Sequence, residues 1–192
     1  MIKAAWLRRY QRCQLPGRPG EAGGFDRIVQ SWDTANKPSE LADYSVCTTW
    51  GLKGQDFYLL NVFRKKLGFP ELKRAVAEQN ELFHPQAILI EDMASGTQLI
   101  QELIQERMSN VTRVKPDGDK SMRLHAQSAV IENGFVWLPD EAPWLADAVA
   151  ELTAFPMGRH DDQVDSTSQA LAWARQRPSA DGWIEYYRRL GE

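Results

Sequence analysis

Three aspartates lie within five residues of one another in the stretch FPMGRHDDQVDS, positions 155–166. They are Asp161, Asp162 and Asp165, and a helix is predicted to begin at the same place. One or two aspartates are common at a helix start, because their carboxylates accept backbone N–H bonds and meet the positive end of the helix dipole. A third aspartate one turn further on is not explained in this way, and it indicates a site where several carboxylates bind a cation.

Two more acids end predicted strands. Asp33 is the last residue of RIVQSWD (27–33), and Glu91 follows four apolar residues in QAILIED (86–92). Functional groups gather at the carboxyl ends of neighbouring strands in sheets with crossover helices, so these two carboxylates are expected side by side if their strands are neighbours. Alone, Asp33 is also compatible with a turn and Asp161 with a helix cap, whereas a charge that ends a buried apolar run needs a partner.

Converging carboxylates without lysine or arginine partners repel one another unless a positive ion lies between them. Oxygen ligands of this kind suit Mg²⁺ or Mn²⁺. Two such ions about 4 Å apart stabilise the attacking and leaving oxygens of phosphoryl transfer. The sequence shows no Ser–His or Cys–His arrangement of the kind that supplies a protein nucleophile, so the predicted nucleophile is water oriented by a metal.

Strand patterns dominate the first part of the chain and helical patterns the second. Three strands at 27–33, 45–52 and 57–64 are typical of an antiparallel meander. From Pro70 onward, apolar residues recur at helical spacing. The later elements are helices at 69–83, 94–108, 119–134, 143–155 and 161–176, strands at 86–92 and 111–116, and a short extended segment at 135–139. The predicted fold class is therefore α/β with an α+β layout, in which a central mixed five-stranded sheet has helices on both faces.

The 192 residues fit one domain with a single core. Residues 1–25, with the stretch LPGRPGEAGG, are interpreted as a linker or N-terminal extension, 26–176 as the folded domain and 177–192 as a C-terminal tail. The sequence has no apolar run approaching the roughly 18 residues of a membrane span and no signal peptide, so no membrane association is expected. Cys13 and Cys47 lie far apart, which indicates a reducing, cytoplasmic environment.

A basic stretch follows the predicted helix at 94–108 and contains Arg113, Lys115, Lys120 and Arg123. The net charge of the chain is −3, which argues against nucleic-acid binding by bulk electrostatics alone. The basic stretch is compatible with an ordinary solvated face. It is equally compatible with a strip that contacts a DNA backbone and places a phosphate over the predicted metal site.

Four stretches together resemble one known family. They are QSWDTA (30–35), ADYSVCTTWG (42–51), LIEDMASGTQLIQEL (89–103) and FPMGRHDDQVDS (155–166), and they resemble the C-terminal nuclease domain of the large terminase subunit of tailed bacteriophages. The resemblance covers about residues 26–175. It implies an RNase H-like fold and a metal-dependent endonuclease that cuts concatemeric double-stranded viral DNA during genome packaging.

The same resemblance implies roles for the five acids. Asp33, Glu91 and Asp162 would be the catalytic residues and metal ligands, and Asp161 and Asp165 would be auxiliary metal ligands. The implied cofactor is Mg²⁺ or Mn²⁺, with two ions bound. The basic residues of the preceding stretch would contact the DNA.

Members of this family normally carry an N-terminal packaging ATPase domain, and the implied partners in the full motor are that domain, the portal and the small terminase subunit. The present sequence has no G-x-x-x-x-G-K-[ST] phosphate-binding loop, so no ATPase activity is expected. The chain looks like a nuclease domain separated from its ATPase, and it is expected to be a monomer in the cytoplasm of the host cell.

Two rival hypotheses remain open. Another RNase H-like enzyme, such as a junction resolvase or a transposase catalytic core, would share the metal chemistry but prefer branched or end-specific substrates. A non-catalytic DNA-binding packaging module would retain the acid cluster only as a relic. Cleavage of a panel of linear and branched DNA substrates would distinguish a terminase nuclease from another RNase H-like enzyme. Metal-dependent cleavage would exclude the non-catalytic module.

Overall fold

A computed structural model of the protein describes residues 2–34, 44–93, 95–115 and 118–176. The described residues form seven strands in one mixed sheet, in the order β1-β7-β4-β3-β2-β5-β6. The strands are β1 (Arg8–Tyr10), β2 (Arg27–Asp33), β3 (Ser45–Lys53), β4 (Asp56–Lys65), β5 (Ala87–Glu91), β6 (Val111–Val114) and β7 (Val136–Pro139). The α-helices are α1 (Phe69–Phe83), α2 (Ser95–Gln105), α3 (Lys120–Glu132), α4 (Leu145–Ala154) and α5 (Asp162–Gln176).

The predicted meander and crossover strands are confirmed. Strands β2, β3 and β4 pair antiparallel in sequence order, while β5 pairs parallel with β2 and β6 pairs parallel with β5. The five α-helices lie within three residues of the predicted bounds at each end. None of the described helices has the length and apolar character to cross a membrane.

The predicted number of five strands is wrong, because the sheet extends by two short strands beyond β4. Strand β7 pairs parallel with β4, and β1 pairs parallel with β7 through the partners Arg8 and Trp137. Strands of three and four residues are too short to show an alternating pattern, and the pairing of β1 with β7 joins distant parts of the chain. Neither strand could therefore be recognised as part of the sheet from local sequence.

Strand β1 also lies inside the segment 1–25, the predicted linker or N-terminal extension. Ile2, Leu7 and Tyr10 are buried in this segment, and the Tyr10 hydroxyl donates a hydrogen bond to the carbonyl oxygen of Leu59 at 2.7 Å. Residues 2–10 therefore belong to the folded unit rather than to a linker. The predicted tail, 177–192, lies outside the described residues.

Apolar side chains cover both faces of the sheet. On one face, residues from β2 and β5 pack against α1 and α2, with Trp32, Ile88, Ile90, Val76 and Leu99 buried together. On the other face the sheet packs against α3, α4 and α5, and that core includes Val29, Leu89, Leu124, Leu152, Val164 and Leu171. The alternation along β2 and β5 therefore assigns each of their side chains to one of the two helix layers.

Candidate functional site

Asp33 and Glu91 lie at the same end of two neighbouring parallel strands. In the register of β2 with β5, Trp32 is the partner of Ile90, so the two acids follow directly at the carboxyl ends of their strands. Because side chains alternate along a strand, Asp33 is on the same face as Ser31, whose hydroxyl contacts Gln169 of α5. The predicted juxtaposition of these two strands is confirmed, and both carboxylates belong to the face of the sheet that α5 covers.

Helix α5 is attached to this end of the sheet by the side chain of Ser166. The Ser166 hydroxyl donates to the carbonyl oxygen of Ser31 at 2.7 Å and accepts from the backbone N–H of Thr48 at 3.1 Å. One turn later the amide of Gln169 donates to the Ser31 hydroxyl at 2.9 Å. These bonds hold the first turns of α5 against β2 and β3, so the aspartates of that helix face the acids that end β2 and β5.

The first turn of α5 is capped by an acid that the sequence analysis missed. The buried carboxylate of Glu151, on α4, accepts bonds from the backbone N–H and the side-chain amide of Gln163, both at 2.6 Å. Arg64, on β4, lies 3.8 Å from the Glu151 carboxylate and 3.9 Å from that of Asp162. An acid within the apolar face of a predicted helix, as Glu151 is between Ala148 and Leu152, was the available signal.

Burial and mutual repulsion dominate the electrostatics of Asp33. Burial raises the pKa of Asp33 well above its ordinary range, and the negative charges of Asp165 and Asp162 raise it further. The positive charge of Lys120 acts in the opposite direction, and Glu91 adds a smaller repulsion. Three other acids of the cluster therefore act on the carboxylate of Asp33.

The other two predicted catalytic acids are shifted in the same direction. Burial is the largest cause of the raised pKa of Glu91, with Arg123 opposing it. Burial also raises the pKa of Asp162, and the charges of Glu151 and Asp161 raise it further. A carboxylate with a raised pKa is less stable in its charged form than it would be in water, so a cation placed among these acids would stabilise them.

Lys120 and Arg123, predicted as DNA contacts, lie against the acid cluster. The ammonium of Lys120 is 2.9 Å from Asp161 Oδ1 and 2.6 Å from Asp165 Oδ2. The guanidinium of Arg123 donates to Asp165 Oδ1 at 3.0 Å. The two predicted auxiliary metal ligands are therefore engaged by basic side chains of α3.

The remaining predicted DNA contacts line an open groove of about 510 Å³ beside the cluster. Its walls come from β6, α3 and α5, and it extends from Glu91 and Asp165 to Trp173. Arg113 and Lys115 both line the groove and are exposed, and Arg113 lies 3.5 Å from the carboxylate of Asp92. This groove joins an exposed basic wall to the acids at the end of the sheet.

A second group of positive and aromatic side chains lies on the other side of Asp162. The Arg64 guanidinium is 4.0 Å from the centre of the Tyr44 ring, and the ammonium of Lys66 is 5.0 Å from the same centre. The His160 ring meets Tyr44 edge-on at 5.7 Å. Positive side chains thus flank the acids on both sides.

The donor set fits a hard divalent cation at three of the five acids. Asp33 and Glu91 form no ion pair with any side chain of the described residues, and the only one that Asp162 forms there is the long contact with Arg64. Among the described residues, no three Asp, Glu, His or Cys side chains form a preassembled set of ligands. The three carboxylates nevertheless belong to one end of the sheet, and burial is the first cause that raises the pKa of each, so a cation bound there would stabilise their charged forms.

Residues 30–173 match the family described as the terminase RNaseH-like domain. Among solved structures, the large terminase nuclease of the thermophilic phage G20c, with bound cobalt, is 18% identical with a TM-score of 0.63, covering 86% of this chain and 91% of that one. The same nuclease has also been solved with zinc and with magnesium. The large terminase nuclease domain of Thermus phage P74-26 is 17% identical with a TM-score of 0.59, covering 89% and 92%.

A large terminase from another thermophilic bacteriophage is 11% identical, with a TM-score of 0.59 over 85% of this chain. The present chain spans 43% of that protein. No curated protein sequence matches the chain. At these identities the structural similarity establishes the fold, and the family match extends over the strands and helices that carry all five acids.

Proposed function

This chain belongs to the terminase RNase H-like domain family, and we propose that it is a metal-dependent endonuclease that cuts concatemeric double-stranded viral DNA during genome packaging. The observation that carries the proposal is the convergence of Asp33, Glu91 and Asp162 from β2, β5 and α5. Supporting it, Asp33 and Glu91 end two parallel strands, at the kind of edge where α/β proteins bind ligands, and Asp162 begins the helix that packs on the same face of the sheet.

We propose Asp33, Glu91 and Asp162 as the residues that would hold Mg²⁺ or Mn²⁺. The bound ion would polarise a phosphate oxygen and lower the pKa of water. Support comes from the G20c nuclease, which has been solved with bound magnesium, cobalt and zinc. The two strand ends fix Asp33 and Glu91, and the bonds of Ser166 to β2 and β3 orient the helix that carries Asp162.

The groove beside the cluster is the proposed path of one DNA strand. Arg113 and Lys115 would contact phosphates along its wall and so place the next phosphate at the acids. Lys66 is exposed on the far side of Asp162 and would contact the strand beyond the cut. Because the whole chain carries a net charge of −3, DNA binding by this domain alone should be weak and sensitive to salt.

The packaging ATPase domain, the portal and the small terminase subunit are the proposed partners that hold DNA on the domain, in the cytoplasm of the host cell. The large terminase of which this chain spans 43% has also been solved with ADP and with an ATP analogue. A monomeric nuclease domain that acts within such a motor accounts for an acid site flanked by a few exposed basic residues.

Plasmid cleavage tests the proposal. The purified chain should nick and then linearise supercoiled DNA in Mn²⁺, and EDTA or Asp33→Asn should abolish the reaction. Asp147→Asn, which removes an exposed acid in the first turn of α4, is the matched control and should cut as the parent does. Cleavage that survives EDTA or Asp33→Asn would refute the metal site, and preferential cutting of branched DNA would favour a junction resolvase.

A further inference from the structure

Lys120 occupies the position of a cation within the acid cluster. Its ammonium lies between the carboxylates of Asp161 and Asp165, at 2.9 and 2.6 Å. These are the distances of charge-assisted hydrogen bonds, which are stronger than bonds between neutral groups. Its charge also acts on Asp33 and on Glu91, so it influences four of the five acids.

Asp165 has both carboxylate oxygens in use. Oδ2 accepts from Lys120, and Oδ1 accepts from Arg123 at 3.0 Å, while the Asp165 side chain is only 5% exposed. A metal that approached either oxygen of this buried carboxylate would compete with a charged donor that already occupies it.

The position of these two basic residues within α3 supports a specific role. Lys120 is the first residue of the helix and Arg123 lies three residues later, so both are in the first turn on neighbouring positions of one face. A helix start carries a partial positive charge, which makes it an unfavourable place for two cations. The carboxylates of Asp165 and Asp161 supply the compensating negative charge.

We propose that Lys120 and Arg123 take the place of the second metal ion in this nuclease, so that Asp161 and Asp165 hold basic side chains and divalent metal binds only at Asp33, Glu91 and Asp162. The inference rests on the proposed metal-dependent function and replaces the expectation of two ions. Lys120 is then a positioning residue. It neutralises Asp161 and Asp165 and keeps their carboxylates from binding the metal ion.

The number of bound ions distinguishes this arrangement from a site with two metals. Isothermal titration of the full chain with Mn²⁺ should give one ion per chain for the parent. Lys120→Met keeps the length of the side chain but removes the charge, and it should allow a second ion to bind. Lys73→Met is the matched control, because Lys73 also bridges two carboxylates, those of Glu102 and Glu106, and it should bind Mn²⁺ as the parent does.

Two adjacent acids provide a test that does not depend on the stability of the Lys120 variant. Asp162→Asn should weaken Mn²⁺ binding by about tenfold or more, since even indirect partners of a metal contribute about tenfold. Asp161→Asn should leave the Mn²⁺ affinity unchanged, because its carboxylate binds Lys120 and not the ion. Melting curves in EDTA would establish that both variants are folded.

The outcomes separate this inference from the proposed function. Two ions bound by the parent, an equal count for parent and Lys120→Met, or weaker Mn²⁺ binding in Asp161→Asn would each overturn the role of Lys120 while leaving a metal-dependent nuclease intact. A parent that binds no Mn²⁺, or whose Mn²⁺ binding does not change in Asp33→Asn, would overturn the proposed function and this inference together.

Discussion

Asp33 and Glu91 leave the sheet side by side, each one residue beyond the register pair formed by Trp32 and Ile90. Both members of that pair are completely buried under α1 and α2. The strand ends therefore have little freedom to move apart and relieve the repulsion between the two carboxylates. Without a bound cation, burial and the charges of Asp165, Asp162 and Glu91 all disfavour the charged form of Asp33, and this local instability has measurable consequences.

Neutralising one acid should stabilise the protein when no metal is present. Asp162→Asn removes a charge at nearly constant shape, so in EDTA the variant should melt at or above the temperature of the parent. Mn²⁺ at about ten times its dissociation constant should stabilise the parent by roughly 1.4 kcal/mol, or about 3–6 °C, and the variant much less. Thermal melts with EDTA and with Mn²⁺ measure both effects. An equal gain from Mn²⁺ in the two proteins would show that Asp162 is not a ligand.

The raised pKa of Asp33 predicts a dependence of stability on pH. Because the folded state keeps this proton to a higher pH than the unfolded state does, folding binds a proton at Asp33, and the contribution of this group to the free energy of unfolding falls as pH rises above about 4. Asp33→Asn lacks this group, so without metal its stability should fall less over the same range. Urea unfolding in EDTA across a pH series gives the comparison, and parallel curves for the two proteins would contradict the assigned environment of Asp33.

Glu151→Gln should loosen the start of α5. The Glu151 carboxylate accepts two hydrogen bonds from Gln163, and in the variant an amide NH₂ group would face one of these donors. The free energy of unfolding should therefore fall by about 1–3 kcal/mol. Mn²⁺ binding should weaken as well, since Asp162 is the residue before Gln163. Glu81→Gln, at an exposed position on α1, should stay within about 0.5 kcal/mol of the parent. If both variants unfold at the same urea concentration, Glu151 does not hold the helix.

Lys115→Ala tests the groove as a DNA path. Loss of one phosphate contact should reduce the slope of log affinity against log salt by about one, with Mn²⁺ binding unchanged. Arg74→Ala removes an exposed positive charge on α1, on the other face of the sheet, and serves as the control for net charge. Fluorescence anisotropy of labelled duplex DNA across a salt series provides the slopes. Equal slopes for the parent and Lys115→Ala would make this wall of the groove an ordinary solvated surface.

Local patterns were sufficient to predict the strands and helices that carry the acids. The apolar runs that end at Asp33 and Glu91 identified two buried strands, and the residues of α5 showed helical periodicity. The family resemblance added the RNase H-like fold. Contacts between elements distant in sequence were not predictable in the same way.

Lys120 and Asp165 are 45 positions apart in the sequence. Lys120 is only one of several basic residues between positions 107 and 123. A charge run shows only that positive charge is present, whereas the packing of α3 beside α5 decides which of its members meet the acids. Glu151 was missed for a related reason. Its partner Gln163 lies on the following helix, and the angle between two helices is not encoded in the periodicity of either one.

The edge strand β1 has a mechanical consequence. It lies four strands away from β2 in the sheet, which is about 19 Å at the usual spacing between strands. A pull applied to the chain ahead of Arg8 would first load the buried side chains of Ile2 and Leu7 and the three register pairs between β1 and β7. Once β1 has separated from β7, the force would pass through residues 11–26 to Arg27, at the opposite end of β2 from Asp33, so the acids would be loaded only after this edge had come away.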